Sequence, residues 1–520
     1  MWTLLRKELL TNLLTYRLAV ALIFAVVLSA LTTVIGSMDY SRNVEAYQEE
    51  GRRQQERLSK VTTYGQSGPQ ILLPPQALAI FARGVMGLAP QSYSVSVGYL
   101  SRASWAVNPE SRNAYMKVLG EIDFVTVVTL LLSFLAVVLG YDGICGERER
   151  GTLKQLLANS VPRAQVVLAK LLGGVLSLWV PLTVAFVSCL LIVLANDDVA
   201  LSAGDWFRLG ILFLLTCVFL AQVFALSLMV SSLVRDSDTA LIICLFCWLV
   251  GGVGYASALP SLSRYGHAET PHQDYMNQSR ELWNGFSQHM NEWEANNPSP
   301  GEAYFRGLQR DGVRRYYHPV AYQWWQRRQV VEIDKRLEMA DGNYQARHAA
   351  WDPLAQEGYT VDRWSLLSPF TNYQVLAYQV AGTTLDDLFD IGRAGRDYRQ
   401  TYIEYLRSKK AFASRRWFTD DPLDQEPMIA HPEDVPAADL APDSPFMLER
   451  MAWAERQQAL AATDDRRQLD LSDMPKFGGR WQRPMGATFA SMTPGLATLL
   501  LSFGAGVMVT LMRFLRYDPS

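Results

Sequence analysis

"GERERGTLKQLLANSVPR", residues 146–163, carries two glycines five positions apart, Gly146 and Gly151, the spacing with which a phosphate-binding loop begins. Such a loop continues with Lys, whose ammonium meets the phosphates, and then Ser or Thr, whose hydroxyl meets magnesium. Here Thr152 and Leu153 follow, and no other G-x-x-x-x-G-K-[ST] occurs in the sequence. The segment also lies between two long apolar runs rather than after a strand, so it reads as binding no nucleotide. A helical reading orders it better. After Gly151, Leu153, Leu156 and Leu157 recur at i, i+3, i+4, while Lys154, Gln155 and Asn159 fall off that line. The expectation is a short amphipathic helix lying on a membrane face and stopped at Pro162. Its charged lead-in is Glu147, Arg148, Glu149 and Arg150, which suits contact with another protein. A solvated membrane-flanking loop is the alternative.

The flanking runs set the fold class. The chain has 520 residues, net charge −3 and 49% hydrophobic residues, averages that suit a soluble protein. The apolar residues are gathered in blocks, however, as in a membrane protein with large water-exposed parts. Six blocks approach the roughly 20 apolar residues that cross a bilayer as a helix: 18–37, 122–141, 166–195, 207–234, 238–259 and 488–512. Their interiors carry no Lys, Arg, Asp or Glu; Glu121, Asp123, Asp197 and Asp198 lie at the edges. Pro181 is expected to kink the third. The first is too long for a cleaved signal and no A-x-A site follows it, so it is read as a retained anchor. The expected architecture is an all-α polytopic membrane protein with six transmembrane helices and a large, mainly helical extracytoplasmic domain.

Basic residues orient it. Arg6, Lys7 and Arg17 precede the first span. Arg148, Arg150, Lys154 and Arg163 lie between the second and third, with Lys170 just beyond. Arg235 lies between the fourth and fifth, and Arg513 and Arg516 follow the sixth. With six spans all four regions share one side, which puts both termini in the cytoplasm: an interfacial helix at 1–17, a cytoplasmic segment at 142–165, three spans within 166–259 and a tail at 513–520. Two polar regions fall outside, 38–121 and 260–487. The first opens with helical composition that suits an extension of the first span, then is broken by Gly65, Gly68, Pro69, Pro74 and Pro75. The second has the length of a domain, with helical stretches near 273–296, 321–350, 385–417 and 446–463 and an acidic, Pro-rich loop at 417–449 that is expected to be exposed.

"WTLLRKELLTNLLTYR", residues 2–17, is a second amphipathic stretch. Trp2, Leu5, Leu9 and Leu13 share a face that Leu10 and Leu14 broaden, and Arg6, Lys7 and Asn12 lie off it. Such a helix rests in the lipid interface before the chain turns into the first span. The spans offer only weak polar groups such as Gln222, Ser227 and Thr183. Ion-driven transporters and pumps need ionisable groups within the membrane, so any driving force is expected from outside the spans.

These features together resemble the permease subunit of the ABC-2 class of ABC transporters. The likeness is carried by "LLRKEL" (4–9), "GERERGTLKQLLANSVPRAQVVLAKLLGG" (146–174) and "SSLVRDSDTALII" (231–243), and covers roughly half the chain. It implies that Glu147, Arg148, Glu149, Gly151, Thr152, Leu153, Leu156, Leu157 and Arg163 form a coupling surface for a separate ABC ATPase subunit. Gly151 would permit the turn, the leucines would seat the helix and the charges would meet the ATPase. ATP and Mg would then act in that partner, with no cofactor in this chain. The resemblance also implies a second permease subunit, the same or paralogous, in the bacterial inner membrane, and no nucleic acid. The large insert before the last span departs from a simple six-span permease. "WSLLSPFTNYQVLAYQVAGTTLDD" (364–387) and "MPKFGGRW" (474–481) look like segments of a bacterial subgroup with enlarged extracytoplasmic regions.

The remaining candidates read as structural. Cys244 and Cys247 form a CxxC within an apolar run without nearby His, and all five cysteines are expected to be ordinary buried thiols. His267, Glu269, His272 and Asp274 fit a polar juxtamembrane loop better than a metal site. Asp386 and Asp387 suit the first turn of a helix, and Trp324 and Trp325, before Arg327 and Arg328, suit aromatic packing. Ser502 and Gly506, four apart, allow close helix approach, either to a second permease or within the chain. Two other functions compete: a membrane-anchored extracytoplasmic binding or signalling protein without transport, and a membrane-embedded enzyme. The absence of a polar catalytic group in the spans argues against the enzyme.

Overall fold

Lipid offers no hydrogen bonds to a bare backbone, so apolar runs of this length cross it only as helices that satisfy themselves. The computed structural model describes residues 2–516 except 89–91, 99, 103–121, 154, 156–161, 264–270, 306, 311, 317–318, 421–435, 437, 440, 442, 462–466 and 479–482. Six helices are long and apolar enough to span a bilayer. A short helix α1 (Trp2–Leu13) precedes α2 (Tyr16–Ser59). The second span, α3, runs as Phe124–Val127, a π-helical turn at Val128–Leu132, then Ser133–Gly140. A five-residue helix α4 (Cys145–Glu149) follows. The third and fourth spans are α5 (Arg163–Leu194) and α6 (Ala203–Leu233). The fifth, α7, runs as Ser237–Trp248, a π-helical turn at Leu249–Gly254, then Tyr255–Ser263.

Beyond α7 lie α8 (Pro271–Asn296), α9 (Pro319–Ser365), α10 (Pro369–Ala381), α11 (Leu385–Ser408) and α12 (Pro445–Ala461), and the last span is α13 (Met485–Leu515). At 1.5 Å per residue the 44 residues of α2 reach about 66 Å, twice the hydrocarbon thickness. The polar half of α2 therefore continues the first span as one helix beyond the hydrocarbon thickness.

α6 is the hub. It packs on α3, α5, α10 and α13, and its Phe219, Leu220, Val223, Phe224 and Leu228 are buried. Small residues set the approach distances. A β-carbon on Gly174 of α5 would lie 2.0 Å from the Phe224 ring, and one on Gly140 of α3 would lie 2.8 Å from Ser227. Ser502 and Gly506 face α6 of the same chain. Gln222 Nε2 donates to Ser502 Oγ, and a β-carbon on Gly506 would meet the Ala225 backbone at 3.4 Å. Of the two alternatives for that pair, close approach within the chain is the one present here, where α6 fills the groove that the small residues leave.

The polar regions depart further from expectation. Three short strands of the first, β1 (Gln70–Leu72), β2 (Ser92–Val95) and β3 (Leu100–Arg102), form an antiparallel sheet in that order. A hairpin of β4 (Gly307–Arg310) and β5 (Val313–Tyr316), turning at Gly312 with φ +81°, adds two more strands. Ile71, Tyr93 and Val95 of the sheet share one core with Ile333 of α9 and Ile391, Tyr402 and Leu406 of α11. Ser67 and Tyr402 hydroxyls meet at 2.9 Å, Arg399 binds the Ser96 and Val97 carbonyls, and Leu469 N–H donates to Val61 O at 2.9 Å. Two regions that are separate in sequence build one unit.

Asp420, within the stretch expected as an exposed acidic loop, is 2% exposed. Arg315 holds it bidentately, with Nε 2.8 Å from Oδ1. Among the described residues no group of three His, Cys, Asp or Glu is placed to hold a metal, and His267 and Glu269 fall outside them. All five cysteines are free; four are buried and Cys247 is exposed on α7.

α10 is the largest surprise within 260–487. Instead of joining the polar unit, it inserts among α6, α13 and the π-turn of α7. Ser368 caps its start while donating to Gly251 O at 2.7 Å, and Phe370 packs on Gly251 and Gly252. Asn372 Nδ2 donates to Gly495 O and Thr498 Oγ1, both at 3.0 Å. Tyr373 stacks on Phe219 at 4.2 Å and shares a hydrogen bond with Thr216 at 2.8 Å. At the far end Arg208 of α6 donates to Val380 O at 2.9 Å and to Arg483 O at 3.0 Å. A 13-residue helix with Asn, Thr and Tyr has no spanning signature. It is buried because its polar groups find partners on the spans.

A charged junction at the terminal end of the bundle

The spans alternate in direction, so α1, the turn after α3, the α6–α7 connection and the end of α13 meet at one end, opposite the polar unit. Arg163 Nη1 donates to Leu515 O at 2.8 Å, and Arg148 Nη1 to Val234 O at 3.3 Å, tying these pieces together. A cation on the last carbonyls of α13 is also the favourable charge for a helix C-terminus.

After Gly140 the chain turns through Tyr141–Ile144 into α4. The first amides of α4 have no helical partner. Ser231 Oγ of α6 accepts from Ile144 N at 3.0 Å and Cys145 N at 3.1 Å, supplying it. Gly143 brings the turn against α6; a β-carbon there would lie 2.9 Å from Leu228. Beyond α4, Gly151 takes φ +71°, and a β-carbon added there would meet nothing within 4 Å, so the backbone conformation and not packing calls for glycine. Leu153 is fully buried. Thr152 is exposed and donates to Glu147 O at 3.2 Å. Leu156 and Leu157, the rest of the expected apolar face, lie outside the described residues.

Both glutamates bond to partners within the chain, Glu147 from a largely buried position and Glu149 from the surface. Glu149 caps α7: its Oε1 accepts from Ser237 N at 2.6 Å and its Oε2 from Ser237 Oγ. Glu147 Oε1 lies 2.8 Å from Lys170 Nζ of α5 and 3.5 Å from Lys7 Nζ of α1. Lys170 Nζ is also 3.1 Å from Glu8 Oε1, and its side chain is 5% exposed. Removing one partner of a buried pair of this kind costs about 3–5 kcal/mol, because the other charge is left without compensation. Asp142 sits beside Arg17 at 3.6 Å and Arg150 at 3.8 Å, and Arg17 also lies over the Tyr141 ring.

α1 packs along α5, which Gly173 permits: a β-carbon there would lie 2.8 Å from Glu8 Cβ. Leu4 and Leu13 of α1 pack on the bundle core and Leu5 and Leu9 are half-buried, while Trp2 is 74% exposed. The surface left at this end presents Arg6, Lys7, Glu149, Arg150 and Thr152. Sequence alone singles out the charged lead-in but not Glu8, Asp142, Ser231 or Ser237, and it marks Lys170 only as a basic residue that orients the chain. Glu8 in "LLRKEL" was an available partner of opposite sign for that lysine.

Comparison with known proteins fits this arrangement. A stretch of 106 residues is 40% identical to the probable ABC transporter permease protein NosY of Pseudomonas aeruginosa, covering 20% of this chain and 38% of that protein. The chain thus spans well under half the length of that relative. Residues 2–518 match the family model described as ABC-2 family transporter protein. A match over nearly the full length, on a multi-pass helical membrane protein, establishes that the chain belongs to the ABC-2 family of transporter proteins.

Proposed function

We propose that the chain is the transmembrane permease subunit of an ATP-driven transporter of the bacterial inner membrane, working with a separate ABC ATPase subunit. ATP and Mg²⁺ act on that partner, and a second permease, identical or paralogous, completes the assembly. The basic residues at the junction end support a cytoplasmic position for it and for both termini. The observation that carries the reading is the 146–153 segment. It lies between α3 and α5, is bonded through Val234 and Ser237 to α6 and α7 and through Glu147 to Lys170 of α5, and leaves Arg150 and Thr152 on the surface. A push on it from an ATPase reaches four spans. At the opposite end α10 connects the spans to the polar unit, which receives or gates the substrate.

Purification from the native membrane in mild detergent tests this. An ABC ATPase should co-purify in stoichiometric amount, and charge reversal at Arg150 together with Thr152→Glu should weaken its retention. If no ATPase accompanies the chain, the transporter reading fails and a membrane-anchored binding or signalling role takes its place.

A further inference from the structure

Among the described residues of the junction, Lys170 is a buried cation that stands where two elements meet a span. It lies two turns into α5, with Glu8 of α1 at 3.1 Å and Glu147 of α4 at 2.8 Å from its Nζ. The two carboxylate side chains are 14% and 13% exposed, so water screens the group poorly. Lys7 also reaches Glu147 at 3.5 Å, but its side chain is 51% exposed. Glu147 Oε2 is buried without a hydrogen-bond partner. The carboxylate is therefore held through Oε1 only, closely by the buried Lys170 and at longer range by the exposed Lys7. Gly173, one turn beyond Lys170, brings α1 into contact with α5 beside Glu8.

Buried ion pairs are a poor route to stability, because apolar replacements of like volume are often as stable or more so. What a buried ammonium between two carboxylates does provide is register, since each carboxylate is attracted to one buried point; Lys7 Nζ, 3.6 Å from Glu8 Oε1 and 3.5 Å from Glu147 Oε1, bridges the same pair from the exposed side, where water screens it. We infer that Lys170 is a positioning residue that locks α1 and the 146–153 segment to α5, so that the three move together when the ATPase closes. The inference rests on the coupling role proposed above. It gives α1 a part in transmission beyond that of an anchor lying in the lipid interface.

The test uses the permease–ATPase complex in lipid nanodiscs, with hydrogen exchange at α5 and α10 recorded without nucleotide and with ATP plus vanadate. Lys170→Met leaves two carboxylates without their buried cation and lowers the melting temperature; the folded variant should still hold the ATPase and hydrolyse ATP. The nucleotide-dependent change in exchange at α10 should shrink about tenfold, the scale of a typical coupling energy. The swap Glu8→Lys with Lys170→Glu again places one cation between two carboxylates and should recover the response, which a loss of packing alone would not allow. Glu8→Gln removes one carboxylate of the pair while Lys170 keeps Glu147, and should reduce the response in the same direction; it carries the test if Lys170→Met does not fold. A full nucleotide response in Lys170→Met or Glu8→Gln, or a folded swap no better than Lys170→Met, overturns the inference and leaves the transporter reading standing. Failure of the wild-type chain to hold an ATPase removes both.

Discussion

Arg208→Met is the most direct probe of how α10 is held among the spans. Arg208 is 8% exposed, and its guanidinium bonds the Val380 carbonyl at 2.9 Å and the Arg483 carbonyl at 3.0 Å. Val380 is in the last turn of α10, where carbonyls lack helical partners and a cation is favoured. Its neighbours are satisfied locally: Tyr378 O accepts from Thr383 N at 3.0 Å, and Gln379 O from Gly382 N, with Gly382 at φ +73°. Two hydrogen bonds to a charged donor contribute about 1.5–3 kcal/mol each. Relief of the buried charge offsets part of that loss, since desolvating an ion costs several kcal/mol. A net loss of about 2 kcal/mol is expected, confined to this end of α10, which corresponds to roughly thirtyfold in a local opening equilibrium. Native-state hydrogen exchange over 378–383 should therefore accelerate about thirtyfold in Arg208→Met, and about tenfold in Arg208→Lys, which keeps the charge and one bond. The middle of α6 should be unchanged. Wild-type exchange over 378–383 in Arg208→Met would refute the assignment of Arg208 as the residue that fixes the end of α10.

Three further outcomes follow from single positions. Gly174→Ala places a methyl 2.0 Å from the Phe224 ring, which is itself 3% exposed; thermal unfolding in detergent should show a loss of about 1–3 kcal/mol that Phe224→Leu partly restores. Tyr373→Phe removes only its bond with Thr216, whose hydroxyl also donates to Leu212 O, and should cost about 1 kcal/mol. Tyr373→Ala also loses the stack on Phe219 and should cost about 3–5 kcal/mol by the same measurement. Burial, with Asp386 nearby, raises the Asp362 carboxyl to about 6. Its ionised form therefore destabilises the fold: the penalty is absent below about pH 4 and complete above about pH 6. Asp362→Asn should match wild type in melting temperature at pH 4 and exceed it at pH 7.5; a constant difference across that range would contradict the assignment.

The sequence determined what depends on neighbours along the chain. Six apolar runs give six spans because lipid compels each to close its own hydrogen bonds. The helix α1 and the cationic residues at the junction were legible from local composition, whereas the turn at Gly151, with φ +71°, was expected only from the family resemblance. The two glutamates were visible as charges, but not as partners of Lys170 and Ser237, since those residues lie on other spans. Only the tertiary structure joined the sheet of the first polar region to α9 and α11, and only it turned Ser502 and Gly506 onto α6.

α10 shows the limit most clearly. By hydropathy, "PFTNYQVLAYQVA" belongs with the polar insert. It enters the bundle because Asn372 finds Gly495 and Thr498, Tyr373 finds Thr216 and Phe219, and Arg208 meets Val380, partners 123 to 172 residues away. The cost of burying a polar group is a property of the residue, whereas the hydrogen bond that offsets it belongs to the folded chain.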